Sequence, residues 1–433
     1  MMSLLVVAAI VVAVALGYKT KINIGLFAIA FAYLIGCFGM GLSPSEVISM
    51  WPLKIFFIIF AVCLFYSFAT VNGTLEKLAE HLIYRCRTMP QLLPFAVFFT
   101  ATVISAMGAG YYTVLAFMAP ITLLLCERTG MSLITGGMAV NYGALSGANF
   151  VSSQSGIIFR GLMVNAGIPE NEAFINAAAI FVSTLVVPLV VISMLVFFSG
   201  HGKAMKATAY VAAEPTPLNR EQKITLWLTL TMMAIVLAAP ITQIAFPDNA
   251  TVSFINSKMD IGLIASLFSV IALLLKLGDE RKAMASVPWA TLIMICGVGM
   301  LISVAIKAGT IDLLASWMGN SIPPIMVPVV FGIVAAFMSL FSSTLGVVTP
   351  ALFPMVPPIA AALGIDPMVL FVAIVVGAQA TSISPFSSGG SLILGSCPTE
   401  QSRTSLFPQL LFRAAPLGFV AALVFNSLLT FGY

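Results

Sequence analysis

Hydroxyls, amides and glycines that interrupt apolar segments of membrane-spanning length are the residues best placed to do chemistry in this sequence. They form two clusters: Asn149, Ser152, Ser153, Gln154, Ser155 and Gly156 in the first half, and Thr381, Ser382, Ser384, Pro385, Ser387, Ser388, Gly389 and Gly390 in the second. Each cluster should break its helix, because Pro385 removes a backbone donor and the glycines and serines weaken the hydrogen-bond ladder. Irregular backbone is tolerated at membrane depth only where it is buried in protein or lines a wet cavity. The two clusters are therefore candidate walls of a binding site.

Two further apolar segments, 91–126 and 323–362, are too long for one membrane helix and are interrupted in the middle. The first is interrupted by Gly108-Ala109-Gly110, and the second by Ser342-Ser343-Thr344 with Gly346 following. Each segment predicts a re-entrant helical hairpin with the interruption at its tip; two full spans per segment are the alternative. If both tips and both broken helices meet near the midplane, helix N-termini and their free N–H groups converge on one anion site without any lysine.

Ionisable side chains are missing from the middle of the predicted spans. No Asp or Glu falls there, and His81 and His201 both lie in non-spanning stretches. Cation/proton antiporters and proton pumps use a membrane-buried carboxylate or histidine, and an enzyme's metal site or acid/base pair needs the same residue types. The sequence therefore argues against an enzyme and against a side-chain proton carrier. Small residues also allow tight helix packing, which is the simpler explanation for a single serine but not for paired clusters beside helix breaks.

Two arginines fall inside predicted spans. Arg160 follows Gly156 by four residues, so it could reach a substrate carboxylate, or its side chain could snorkel to the nearby outer interface. Arg413, near the start of the last span, is predicted to snorkel to the cytoplasmic interface. Tyr111 and Tyr112 follow the first tip, where they either shape the pocket or lie at a lipid interface.

The composition requires a lipid bilayer as the solvent for most of the chain. Of the 433 residues, 60% are hydrophobic and 8% are charged, whereas soluble domains carry about a quarter charged residues. The net charge of +4 is spread out without a basic stripe, so no nucleic-acid partner is predicted. The six cysteines are far apart and mostly fall within apolar runs, which is typical of buried thiols. The sequence therefore predicts a multi-pass helical protein of the cell inner membrane.

Ten apolar segments besides the hairpins predict ten spans, five in each half of the chain. They lie at 3–18, 23–42, 52–71, 131–164 and 174–199, and at 224–246, 260–277, 287–306, 366–396 and 407–431. The polar stretch 201–223 between the halves is predicted to be a cytoplasmic linker. The predicted units are thus residues 1–200, the linker, and residues 224–433. Each outer unit holds scaffold helices, one hairpin and one broken helix, the latter at 131–164 or 366–396.

The two halves repeat each other in sequence. GTLEKLA at 73–79 matches GTIDLLA at 309–315, an offset of 236 residues, and SQSG at 153–156 matches SSGG at 387–390, an offset of 234. Because each half has an odd number of spans, the second half must enter the membrane upside down, which is the inverted repeat typical of secondary transporters. With the N-terminus outside, most basic loop residues face the cytoplasm, as the positive-inside rule requires.

This arrangement resembles the ion transporter superfamily, which includes the divalent anion/sodium symporters, and within it is most similar to malonate and dicarboxylate carriers of the MatC type. The resemblance covers nearly the whole chain. Ser-Asn-Thr-like motifs at the tips and polar motifs at the breaks hold carboxylates and sodium ions in that superfamily. Ser342-Ser343-Thr344 and Ser384–Gly389 match these positions, whereas the first tip at 105–112 lacks the motif and neither tip keeps the asparagine. The resemblance implies an elevator mechanism, with hairpins and broken helices sliding against a homodimeric scaffold.

Together these arguments predict an all-α, elevator-type importer of a small organic anion, such as the dicarboxylates malonate or succinate. The predicted substrate-binding residues are Gly108, Gly110, Tyr111, Asn149, Ser152, Ser153, Gln154, Ser155, Ser342, Ser343, Thr344, Ser384, Ser387, Ser388 and Gly389. A coupling sodium ion, with no other cofactor, is expected near Ser105, Ser342, Ser343 and Thr344; proton coupling stays open. One alternative is the large membrane subunit of a binding-protein-dependent carboxylate transporter, which needs an extracytoplasmic partner. The other is a cation antiporter or channel.

Overall fold

The computed structural model describes residues 2–85, 92–198, 214–310 and 321–430, together with Leu313 and Ser316. Helices make up 84% of the described residues, and no strand occurs among them, as expected where lipid cannot satisfy backbone polar groups. In chain order the helices are α1 Met2–Thr20, α2 Ile24–Tyr33, α3 Pro44–Ser49, α4 Leu53–Val71, α5 Thr74–Arg85, α6 Leu93–Ile104, α7 Tyr111–Thr129, α8 Leu133–Ala148, α9 Gln154–Asn165, α10 Glu170–Phe198, α11 Arg220–Ala245, α12 Ala250–Lys258, α13 Ile261–Leu274, α14 Glu280–Ala285, α15 Trp289–Lys307, α16 Val327–Phe341, α17 Thr349–Leu352, α18 Val356–Leu363, α19 Pro367–Ala380, α20 Ser388–Gly395, α21 Glu400–Gln409 and α22 Ala415–Thr430.

Seven helices of the described chain are long and apolar enough to cross a membrane. Five of them match predicted spans: 53–71, 170–197, 220–245, 289–307 and the continuous helix 400–430. The predicted span at 260–277 belongs instead to a pair, α12 and α13, that is bent by 64°. The first two predicted spans contain the shorter apolar helices 5–17 and 24–39. The spans predicted at 131–164 and 366–396 are each divided by a break.

The two hairpin segments have unequal arms. The first arms, Leu93–Ala109 and Pro324–Leu340, are shorter apolar helices, whereas the second arms, Tyr111–Thr129 and Thr344–Leu363, are long enough to cross a membrane. At the first tip the chain turns through glycines in the left-handed region, Gly108 at φ +97° and Gly110 at φ +76°. At the second tip Ser342 and Ser343 are extended. The breaks that the sequence predicted in both segments are confirmed, and the re-entrant path of the arms stays a proposal.

Glycines allow the first arm of each hairpin to pack closely on the helix that precedes a break. A β-carbon added to Gly147 of α8 would lie 2.0 Å from the carbonyl oxygen of Thr102 in α6. In the second half, a β-carbon on Gly377 of α19 would lie 2.3 Å from the carbonyl oxygen of Gly332 in α16. Backbones approach this closely only where small residues stand at the interface. In both halves, therefore, a close contact at a glycine packs the first arm of the hairpin against the helix that precedes the break.

Helices of the two halves also pack against each other outside the hairpins. α2 contacts α15, and α4 contacts α13. The α2–α15 contact is again made by glycines, because a β-carbon on Gly297 would lie 2.3 Å from the carbonyl oxygen of Gly25. Neither half is therefore an isolated bundle, and each lends helices to the packing of the other.

The repeated motif GTLEKLA at 73–79 leads into a helix, α5. Residues of the linker lie against it: the Lys77 amine donates to the Thr216 hydroxyl, and His81 Nε2 is 3.2 Å from the carbonyl oxygen of Thr216. Helix α11 begins at Arg220, before the predicted end of the linker, with Asn219 as its capping residue. Most of the linker, and most of the matching repeat motif at 309–315, lie outside the described residues.

Candidate functional site

Residues at or directly after both breaks and both tips line one cavity of about 460 Å³, its open mouth included. Tyr111 and Tyr112 follow the first tip, Ser155 follows the first break, Ser342, Ser343 and Thr344 belong to the second tip, and Ser387, Ser388 and Gly389 lie at the end of the second break and the start of α20. The remaining wall residues are Leu145, Ser339, Leu345, Gln379 and Ser382. The four interruptions thus meet in space, as the sequence predicts. The lining contains hydroxyls and an amide and no charged side chain.

Four helical segments begin at this cavity: α7 at Tyr111, α9 at Gln154, the π-helical turn Thr344–Val348, and α20 at Ser388. The residues before α7 and α9, Gly110 and Ser153, make no side-chain hydrogen bond to the first turn of their helices. The first backbone N–H groups of a helix have no partner within it, and the helix dipole makes this end positive. Backbone N–H groups at the starts of α7 and α9 therefore have no side-chain acceptor from the residue before them and could donate to an anion.

The first break spans residues 149–153, between α8 and α9. It is fastened to the first tip by the Ser153 hydroxyl, which donates to the carbonyl oxygen of Ser105 at 2.7 Å. The Tyr66 hydroxyl of α4 donates to the carbonyl oxygen of Ser152 at 3.1 Å. Asn149, Ser152 and Ser153 are fully buried, so these predicted binding residues hold the break in place and do not face the cavity.

The second break spans residues 381–387, between α19 and α20. The Thr381 hydroxyl donates to the carbonyl oxygen of Ala336 in α16 at 2.9 Å, which ties this break to the second hairpin. Ser387 caps α20, because its hydroxyl accepts from the N–H of Gly390 at 3.1 Å. Ser384 is fully buried beside these groups and does not line the cavity.

Two amide side chains that the sequence argument did not single out connect the breaks. Asn141 of α8 accepts from the Tyr111 hydroxyl at 2.7 Å and donates to the Ser382 hydroxyl at 3.1 Å. Gln379 of α19 exchanges two hydrogen bonds with Asn149, at 2.9 and 3.0 Å. Both amides stand in otherwise apolar helices. A polar side chain in an apolar span is itself a signal of a buried functional network, and it was available in the sequence.

The second tip has its hydroxyls arranged around the start of its second arm. The Ser343 hydroxyl accepts from the N–H of Gly346 at 3.2 Å, and the Thr344 and Ser339 hydroxyls lie 3.1 Å apart. The Ser342 hydroxyl donates to the carbonyl oxygen of Met338 at 2.6 Å. Each of these oxygens keeps at least one lone pair toward the cavity that it lines, so the tip can accept from a ligand or contact a cation.

Neighbouring atoms leave no room for a side chain at three glycines near the first tip and the second break. A β-carbon on Gly108 would lie 2.0 Å from the ring of Tyr66, and one on Gly110 would lie 2.4 Å from Gln154 Oε1. A β-carbon on Gly389 would lie 1.8 Å from the Tyr111 hydroxyl oxygen. Gly108, Gly110 and Gln154 are thus packing partners behind the cavity, whereas Gly389 and Tyr111 form part of its wall.

Two buried hydroxyl oxygens near the first tip have no hydrogen-bond partner among the described residues, Ser105 Oγ and Ser152 Oγ. A buried polar atom without a partner costs free energy, on the order of 1–3 kcal/mol. Alkali and alkaline-earth cations take oxygen ligands, including the carbonyls of unwound backbone. The residues present here therefore suit the sodium ion predicted near Ser105. No group of three or more His, Cys, Asp or Glu that could hold a metal occurs in the part of the chain that the structure describes.

The two intramembrane arginines lie away from this cavity. Arg160 lines a second cavity together with Lys54. Arg413 is exposed in the π-helical turn Leu410–Ala414, which is compatible with the predicted snorkelling of its side chain.

A comparison with protein families finds a match for the N-terminal third of the chain. Residues 1–148 match the family described as "Dicarboxylate carrier protein MatC N-terminus". This match ends where α8 ends, so it includes the first tip and excludes both breaks and the second tip. No curated protein matches this sequence.

Solved transporter structures share the overall fold. The Alcanivorax borkumensis YdaH transporter, described as having an unusual topology, aligns with a TM-score of 0.64 and 18% identity over 90% of this chain and 87% of its own. Neisseria gonorrhoeae MtrF, described within a class of antimetabolite efflux pumps, aligns with a TM-score of 0.57 and 15% identity over 89% of this chain and 82% of its own. At these identities the similarity establishes a transporter fold and does not identify the substrate.

Proposed function

We propose that this protein is a secondary active transporter that imports a small organic anion, a dicarboxylate such as malonate or succinate, across the inner membrane. The observation that carries the proposal is the meeting of two helix breaks and two hairpin tips at one uncharged cavity whose wall includes several hydroxyls and an amide. Four helical N-termini converge on it, and such ends bind carboxylates through backbone N–H groups without a basic side chain. The match of residues 1–148 to a dicarboxylate carrier family supports the same substrate class.

The transport cycle that we propose is of the elevator type. The hairpins and the broken helices α8–α9 and α19–α20 would move as one body, because hydrogen bonds such as Ser153 to Ser105 and Thr381 to Ala336 join each break to a hairpin. The remaining helices would form the scaffold, with a homodimer as the assembly. The close glycine contacts found in each half support an inverted repeat, whose two halves exchange roles between the outward and inward states.

We propose sodium as the coupling ion. The unpartnered oxygens of Ser105 and Ser152 lie at the first tip and break, and the hydroxyls of Ser342, Ser343 and Thr344 lie at the second tip. A bound cation beside the cavity would offset the charge of a dianion, so occupancy of one site would favour occupancy of the other. Proton coupling would instead require the substrate itself to carry the proton, since no carboxylate, histidine, lysine or arginine lines the cavity.

Two alternatives make different predictions. A membrane subunit that depends on a binding protein would not transport when reconstituted alone. A cation antiporter or channel would move cations without any organic anion, which the uncharged cavity does not favour. Because one structure of similar fold is described as an efflux pump, the direction of transport is also a matter for experiment.

Removing single hydroxyls from the cavity wall should weaken transport while preserving the fold. Ser343→Ala deletes the cap of the second tip, and Ser388→Ala deletes a wall hydroxyl at the start of α20. We expect each substitution to reduce the apparent substrate affinity by about fivefold to tenfold, the loss of about one hydrogen bond of 1–1.5 kcal/mol. Initial rates of malonate uptake into proteoliposomes measure this.

Ser391→Ala is the matched control for these variants. Ser391 lies on the same short helix as Ser388 but is exposed and does not line the cavity. Its substitution should leave uptake unchanged. Wild-type uptake by both Ser343→Ala and Ser388→Ala would remove the cavity from the transport path.

A further inference from the structure

A second and roomier cavity of about 700 Å³ lies beside α9, outside the site described above. It is bounded by the beginnings of α4, α10 and α13 and by the second half of α9. Its floor is apolar, with isoleucines from three helices, and its polar wall carries Lys54, Arg160, Asn165 and Glu170. Helix α9 connects the two cavities, because Ser155 at its start lines the first and Arg160 lines the second.

The guanidinium of Arg160 is buried without enough acceptors. Only 15% of the side chain is exposed, and its Nε atom has no hydrogen-bond partner in the described structure. Its nearest carboxylate oxygen, Glu170 Oε1, lies 3.7 Å from a terminal nitrogen, which is too long for a hydrogen bond. The ring of Phe174 lies 5.3 Å from the guanidinium carbon. Arginine offers five N–H donors, and burying its charge is costly unless acceptors are supplied.

Two cations line the cavity, with Glu170 in its wall and Asp260 beside it, and neither cation has a carboxylate oxygen within hydrogen-bond distance among the described residues. Lys54 is exposed at the cavity wall and forms no ion pair with any carboxylate of the described residues. Asp260, the other carboxylate acting on Arg160, is engaged as the cap of α13, where it accepts from the N–H of Leu263 at 2.9 Å. Helix α4 begins beside Lys54 with no side-chain cap on its first turn. Two cations without a hydrogen-bonded carboxylate and a helix start without a side-chain cap thus lie beside this cavity.

We infer that this second cavity is an oxyanion-binding vestibule, in which Arg160 and Lys54 hold a carboxylate or phosphate group beside an apolar floor. Arginine binds such groups through two parallel N–H···O bonds, and Lys54 would supply the second charge contact. Two sources carry this chemistry: a small free dicarboxylate and an acidic lipid headgroup. That the ligand is also the transported substrate rests on the proposed function, whereas the binding of an oxyanion does not.

Labelling of Lys54 reports on this cavity directly. The purified full chain, in nanodiscs of zwitterionic lipid, is acetylated with an amine-reactive reagent, and modification of each lysine is quantified by mass spectrometry. We expect malonate to lower the labelling of Lys54 several-fold and to leave Lys258 unchanged. Lys258 is the internal control, because it is exposed at the end of α12 and does not line the cavity.

Removing the positive charge of Arg160 and removing the negative charge of Glu170 should change malonate binding in opposite directions if the cavity is a ligand site, but not if the two residues form only a structural ion pair. Arg160→Gln should raise the malonate concentration that protects Lys54 by about tenfold or more, and Arg160→Lys, which keeps the charge, should raise it less. Glu170→Gln should lower that concentration, because Glu170 competes with the ligand for the guanidinium. If the Arg160–Glu170 pair only stabilises the fold, Glu170→Gln leaves protection unchanged or weakens it.

The lipid composition distinguishes the two sources. Protection of Lys54 in anionic nanodiscs without malonate would assign the site to a lipid headgroup, and protection only by added malonate or inorganic phosphate would assign it to a free oxyanion. Equal labelling of Lys54 under every condition would overturn the inference. Failure of malonate uptake with this protection intact would count against the proposed function alone.

Discussion

Transport is expected to fall at least tenfold when Gly389 is replaced by alanine. The added methyl carbon would lie 1.8 Å from the Tyr111 hydroxyl oxygen, 2.9 Å from the carbonyl oxygen of Ser382 and 3.0 Å from Asn141 Oδ1. None of these atoms can swing aside, because Tyr111, Asn141 and Ser382 are hydrogen-bonded to one another. Overpacking of this kind costs about 1–3 kcal/mol, and here it displaces the start of α20 from the cavity. Initial rates of malonate uptake measure the loss.

A control and a rescue make the Gly389 prediction specific. Gly395→Ala alters the other end of α20, where an added β-carbon meets no atom within 4 Å, so uptake should be retained. Tyr111→Phe removes the closest clashing atom, and the double variant Gly389→Ala/Tyr111→Phe should transport better than Gly389→Ala alone. Equal rates for the two alanine variants would show that the packing of Gly389 against Tyr111 is not needed for transport.

The second large effect, on both stability and uptake, is expected for Gln379→Leu, because the side chains of Gln379 and Asn149 join the two broken helices. Asn149 and Gln379 exchange two hydrogen bonds, and Asn149 also donates to the Thr184 hydroxyl of α10 at 2.9 Å. Gln379→Leu leaves buried polar atoms of Asn149 without partners, which costs about 1–3 kcal/mol. We expect a lower unfolding temperature in detergent and a loss of uptake, since Gln379 also lines the cavity.

A double-mutant cycle measures the interaction energy between Asn149 and Gln379 apart from their contacts with other residues. Asn149→Leu and Gln379→Leu should each destabilise the protein, and the double variant should cost less than their sum by about 0.5–3 kcal/mol. Uptake should remain low in the double variant even where stability recovers, because the cavity wall has lost the amide of Gln379. Additive losses of stability would show that the two amides do not act as a pair.

The positions of the site's interruptions could be predicted from the sequence. Glycines at 108 and 110, the serines at 342 and 343 and Pro385 are strong local signals, since each relaxes or removes a backbone hydrogen bond. The structure places a tip or a break at each of them. The first tip turns through glycines, whereas the second tip turns through serines in extended conformation. The two hairpins are therefore interrupted by different backbone conformations.

The contacts between the interruptions could not be read from the same signals. Periodicity tells which face of a helix is apolar, but it does not tell which residues of two distant helices meet, as Asn149 and Gln379 do across 230 positions. The predicted number of ten spans stays a prediction, because a length criterion that finds seven helices among the described residues does not count spans divided by a break. Helices such as α8 and α19 end at the polar cluster instead of crossing it.

Uptake of labelled malonate and succinate into proteoliposomes that hold only this protein tests the central claim most directly. Inward gradients of sodium or of protons are applied separately and compared with no gradient. The account predicts uptake that is driven by one gradient, with sodium expected from the oxygens near Ser105, and reduced in Gly389→Ala. Absence of uptake under every gradient, with correctly folded protein, would contradict it and would favour dependence on a partner or a different substrate.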